Sequence, residues 1–120
     1  MKGARVAAYS IEPDFGIAID VTHAEGPSTG KWEAVPIDKL TICTGPNLHP
    51  ALTKKAEEIA DKWHIPYVRE IEPGVTGTDA AAIQVSRGGV PTILLGVPLR
   101  YMHTTVETVK LDVISDLGRL

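Results

Sequence analysis

One cysteine, Cys43, is all the sulfhydryl chemistry that the 120 residues contain. A lone thiol excludes an internal disulfide framework and suits a reducing, cytoplasmic compartment. Positive charge is scattered: twelve Lys and Arg face fifteen Asp and Glu. No basic cluster forms, which excludes a nucleic-acid backbone as partner. No apolar run approaches the length that spans a bilayer. The opening Met1-Lys2-Gly3-Ala4-Arg5 carries charge with no long apolar core behind it, so neither a membrane span nor a secretory signal is expected. The loop Gly74-Val75-Thr76-Gly77-Thr78-Asp79 fits neither phosphate-loop signature, since there is no Gly-x-Gly-x-x-Gly and no Lys after the second glycine. Internal repeats and low-complexity segments are also missing.

What remains is enough for one small domain. A hydrophobic share of 43% is that of an ordinary globular chain. At this length about two thirds of the unfolded surface can be buried. Nine prolines and eleven glycines fall between the periodic segments and punctuate them.

Gly3 to Ser10 reads as the end of a helix, and Phe15 to Asp20 as a strand. Val21 to Asp38, with Gly26-Pro27, Gly30 and Pro36, reads as a loop or loose hairpin, and Leu40 to Thr44 as a short strand. The clearest helix starts at Pro50, a first-turn residue whose missing N–H costs nothing there. Leu52, Ala56, Ile59, Ala60 and Trp63 recur at helical spacing on one face, with charged residues on the other. Tyr67 to Ile71 alternates as a strand does. Asp79 is placed to cap a helix running through Val85 and stopping at Gly88-Gly89. Pro91 to Val97 reads as the most buried strand, Pro98 to Thr104 as a loop, and a last helix starts near Leu111. That helix ends in mid-pattern at Leu120, which predicts a truncated C-terminus. Strands alternating with helices predict an α/β fold, a mostly parallel sheet flanked by helices.

Several polar residues stand where such folds keep their ligands, at the carboxyl ends of strands. Asp20 closes the apolar run Phe15-Gly16-Ile17-Ala18-Ile19 and is either a metal ligand or a strand-end turn residue. His103, in Arg100-Tyr101-Met102-His103, is a metal ligand, a general base, or a loop histidine bonded to backbone. Asp79 could act on substrate, but the capping role wins on position. Arg100 could grip a carboxylate through its fork or serve a structural ion pair. Cys43, inside Ile42-Cys43-Thr44, reads as an inert buried thiol.

Taken together, Ala4 to Tyr9, Gly16-Ile17-Ala18-Ile19-Asp20-Val21-Thr22, Gly45-Pro46-Asn47-Leu48-His49-Pro50, Gly77-Thr78-Asp79-Ala80 and Pro98 to His103 resemble, in order and spacing, the C-terminal part of the tetrahedral (TET) aminopeptidases. This family of dinuclear metallo-aminopeptidases includes glutamyl aminopeptidase and some endoglucanase-labelled relatives. The resemblance implies that residues 1–120 are the C-terminal part of an incomplete zinc-aminopeptidase catalytic domain, without its N-terminal part and inserted β-domain. It implies two divalent metal ions, zinc or cobalt, with Asp20 a ligand of one and His103 of the other. Asp79 and Arg100 match positions near the substrate cleft.

The family's other ligands have no counterpart here: a His-x-Asp histidine, a bridging aspartate and a Glu-Glu pair whose first member is the general base. No catalytic residue is therefore assigned, and the chain alone is expected to bind metal weakly and hydrolyse nothing. The partners implied are a peptide substrate in the intact enzyme, and a homo-oligomer or a missing N-terminal half. Two other classes stay open: a non-catalytic remnant or one half of a split enzyme, and a small-ligand-binding α/β module using the Thr76 to Asp79 loop.

Overall fold

The computed structural model describes residues 1–27, 29 and 34–120. Gly30, read above as part of a loop, lies outside the described residues. The elements run α1 (Lys2–Ile11), β1 (Gly16–His23), β2 (Leu40–Thr44), α2 (Pro50–Lys62), β3 (Tyr67–Ile71), α3 (Asp79–Ile83), β4 (Thr92–Arg100), β5 (Thr108–Val109) and α4 (Leu111–Arg119). They form one sheet in the order β1-β4-β2-β3, with β5 paired to the end of β4.

The α/β architecture matches the sequence expectation. The two long ladders are parallel: β1 with β4 from Gly16↔Thr92 to His23↔Leu99, and β2 with β3 from Leu40↔Tyr67 to Thr44↔Ile71. Only short contacts are antiparallel, Thr41↔Gly96 with Ile42↔Leu95, and Leu99↔Val109 with Arg100↔Thr108. The sheet is thus two parallel pairs joined back to back.

Alternation sends side chains to two faces. On one, Leu40, Ile42, Ile93 and Leu95 pack against Ala56 and Ala60 of α2 and Val113 of α4. On the other, Ala18, Cys43 and Leu94 pack with Leu48 and with Ala80 of α3. This second face is called the α3 face below.

Several local expectations are corrected. Strand β1 does not end at Asp20 but continues through His23, and β4 continues through Arg100 where a loop was expected from Pro98. The two extend together, because each supplies the other's parallel partner. Pro98 fits inside β4 because the β2 pairing has stopped at Gly96, so its missing N–H leaves no neighbour on that side unpaired. Helix α3 ends at Ile83, well short of the glycines. Its cap is Thr78, whose hydroxyl accepts from Ala80 N–H, while Asp79 occupies the first turn. Trp63 does not join the apolar face of α2 but follows the helix end, exposed.

The first face is covered over its centre but not beside β1. Phe15, Ile17 and Ile19 are 56%, 50% and 60% exposed. A groove of about 280 Å³ runs there between Phe15, Ile17, Leu52, Ile59 and Leu120.

Candidate active site

The register sets Asp20, Gly96 and Thr41 side by side across three strands. Asp20 and Thr22 share the α3 face of β1 with buried Gly16 and Ala18. Both are half-buried. Asp20 Oδ1 accepts from the Val21 N–H at 2.8 Å, and no cationic partner for it is found among the described residues.

His103 lies past the end of β4, in the loop leading to β5, and is exposed. Two residues of this loop have left-handed backbone, Tyr101 at φ 66° and His103 at φ 63°. The loop is tied by Thr104 Oγ1, which donates to the Tyr101 carbonyl, and by the His103 N–H, which donates to Glu107 Oε1 at 2.7 Å. Asp20 and the His103 loop thus belong to the carboxyl-terminal half of the same parallel pair. Among the described residues neither belongs to a group of three potential ligands close together.

Arg100, the last residue of β4, donates from Nε to the Glu25 carbonyl at 2.6 Å. It borders a pocket of about 240 Å³ with His23, Leu99, Met102 and Thr104. Asp79 lies apart from this end, at the start of α3, exposed and 2.8 Å from the Met1 amine. The hydroxyls of the preceding loop bond one another, Thr76 to Thr78 at 2.9 Å.

Sequence reasoning missed Glu70. From β3 its side chain lies along the α3 face over β2 and β4. Oε2 accepts from Thr41 Oγ1 at 2.7 Å and from the Cys43 thiol at 3.6 Å, while Oε1 accepts from Thr22 Oγ1 at 2.5 Å. Gly96 makes this possible: a Cβ there would stand 2.2 Å from Thr41 Oγ1 and 3.5 Å from Glu70 Oε2. The signal available in sequence was the glycine inside an otherwise bulky buried strand, which marks close approach.

Cys43, Glu70 and Glu72 bring ligand-type atoms within 4.8 Å of one another. Burial pushes the Cys43 thiol up to about 12; the Thr41 hydrogen bond opposes this, and the Glu70 and Glu72 carboxylates add to it. The thiol therefore keeps its proton at neutral pH, as the sequence reading of an inert cysteine expected. Burial and the neighbouring Glu70 carboxylate likewise raise the Glu72 carboxyl above its ordinary value.

A largely parallel α/β sheet with polar side chains at the carboxyl end of its longest strand pair is a common enzyme architecture. The model of the M42 glutamyl aminopeptidase family matches residues 1–120. A lysyl aminopeptidase of Pyrococcus furiosus is 46% identical over 109 residues, covering 89% of this chain and 31% of the relative. The crystal structure of a TET aminopeptidase from a marine sediment thaumarchaeon superposes with a TM-score of 0.87 at 25% identity, over 98% of this chain and 34% of that one. A TET peptidase of Pyrococcus horikoshii, which can assemble into a tetrahedron or a large octahedral shell, superposes with a TM-score of 0.76 at 30% identity, over 99% of this chain and 35% of that one. The chain belongs to the M42 glutamyl aminopeptidase family. It spans about a third of the length of these relatives.

Proposed function

We propose that residues 1–120 are the C-terminal part of a metallo-aminopeptidase catalytic domain, in which Asp20 holds one of two divalent cations, zinc or cobalt, and His103 the other. The family's N-terminal part and inserted β-domain are not among these residues. The observation that carries the reading is the placement of Asp20. It stands half-buried in an apolar strand without a cationic partner among the described residues, on the strand pair that ends in the His103 loop. A carboxylate so placed gains from a cation.

The donor types fit zinc or cobalt, one carboxylate and one imidazole, but as part of a set. When bound, the cations supply Lewis acidity toward a peptide carbonyl and lower the pKa of a water. The chain's own residues hold and orient. Arg100 is anchored through Nε, and its remaining guanidinium nitrogens would be the donors it offers to a peptide. Asp79, exposed at the start of α3, would line the substrate cleft. The intact protein would release N-terminal residues from peptides in the cytoplasm, as a homo-oligomer. With one ligand per metal and no general base, this chain alone would hydrolyse nothing.

The groove beside β1 favours a completed rather than an isolated domain, since it leaves Phe15, Ile17 and Ile19 in water. The test is complementation. A second polypeptide carrying the family's other two thirds is mixed with this chain, and release of chromophore from aminoacyl-p-nitroanilides is followed with zinc or cobalt. Activity that appears only on mixing, and is lost with Asp20→Ala or His103→Ala, supports the reading. Activity unaffected by both substitutions overturns it.

A further inference from the structure

We propose that Glu70 is a positioning residue for Asp20, acting through Thr22. The proposal rests on the reading of Asp20 as a metal ligand. Among the described residues, strand β1 pairs with a strand on one side only, β4. Its first half is held on the α3 face by packing, with Gly16 and Ala18 buried against Ile83 and Ala80. Its second half, from Asp20 on, has no such cover among the described residues: Asp20 and Thr22 are half-buried and Val21 and His23 exposed. Beyond its backbone ladder with β4, that half is tied across the α3 face by a hydrogen bond from Thr22 to Glu70, which lies two strands beyond β4.

Glu70 is suited to this. Thr41 and Cys43 fix its other oxygen from β2, so the carboxylate is already oriented when it meets Thr22. Gly96, the register partner of Asp20, leaves the passage open. Thr22 and Asp20 point to the same face two residues apart, so fixing one limits the swing of the other. A ligand set gains affinity from partners that hold its members in place, commonly tenfold or more.

The experiment uses the isotopically labelled 120-residue chain with Thr22→Val, Thr41→Val, Glu70→Ala and Glu70→Gln variants. Amide hydrogen exchange at Val21, whose N–H is bonded to Asp20 Oδ1, reads the order of the ligand without metal. Broadening of the Asp20 resonances by Mn²⁺ reads its hold on a cation. Thr22→Val and Glu70→Ala should speed Val21 exchange, beyond any change at the core amides of Ile42 and Leu94. They should also raise the Mn²⁺ concentration for half-broadening by about tenfold. Glu70→Gln, whose amide oxygen can still accept from Thr22, should restore both. Thr41→Val should lower global stability and shift both readouts less than Thr22→Val does, because the Cys43 thiol still bonds Glu70 Oε2 and Thr22 still meets Oε1. Equal effects of Thr41→Val and Thr22→Val, or no effect of Thr22→Val on exchange, would overturn the proposal. If wild-type Asp20 does not broaden with Mn²⁺, the ligand reading fails and Val21 exchange alone decides the role of Glu70. Should Glu70→Ala not fold, the near-isosteric Thr22→Val carries the test.

Discussion

Glu70 on β3 accepts a hydrogen bond from Thr22 on β1, although β2 and β4 both lie between them in the sheet. The carboxylate reaches across because the one residue of β4 beneath it, Gly96, has no side chain.

Gly96→Ala should therefore be costly. The new methyl would meet Thr41 Oγ1 at 2.2 Å, inside a face closed by strands on both sides. We expect a loss of about 1–3 kcal/mol, the usual range for overpacking. Urea unfolding monitored by circular dichroism measures it. A variant as stable as the parent would show that Thr41 and Glu70 yield freely.

The Cys43 thiol makes stability depend on alkaline pH. Its folded value is pushed up to about 12 from an ordinary 9.0. Between those values the unfolded chain loses the proton and the folded chain keeps it, so the folded state binds more protons and stability falls as pH rises. The contribution is fully present below pH 9 and is lost progressively toward 12. Cys43→Ala should flatten that part of the denaturation midpoint against pH. An unchanged slope would show that other groups set it.

Metal affinity should be weak in the isolated chain, because on the proposed reading Asp20 and His103 would supply one protein ligand to each cation, where a hydrolytic zinc site has typically three. Calorimetric titration with zinc should show no sub-micromolar binding. Sub-micromolar binding lost in an Asp20→Ala/His103→Ala double variant would contradict this account of the ligand set.

The apolar strip of β1 should drive association. Light scattering of the chain alone is expected to show growth of mass with concentration, through Phe15, Ile17 and Ile19. Replacing Ile17 and Ile19 with Lys should reduce it. A clean monomer at high concentration would remove the argument that this face needs a cover.

Much of the fold was legible in the sequence because it depends on periodicity and punctuation. Leu52, Ala56 and Ala60 announce α2, and the run Pro91 to Val97 announces the most buried strand. The ends of β1 and β4 were hidden because Thr22, His23 and Pro98 look like loop residues; only their mutual pairing makes them strand. Residues of the candidate site were visible as types in place, Asp20 after an apolar run and His103 in a strand-end loop. Glu70 was not, since Tyr67 to Ile71 alternates as any edge strand does. Nothing local tells that its carboxylate will meet a hydroxyl from the opposite edge of the sheet.

The parallel pairing of β1 with β4 also governs how the molecule comes together. Gly16 and Thr92 lie far apart along the chain, yet they open the longest ladder in the sheet. A partnership between such distant segments cannot reward the chain until a large closure entropy has been met. Refolding should accordingly be slow for a chain of this size. The β2-α2-β3 unit, whose strands are joined by a single helix, can form early, and the β1 edge joins last.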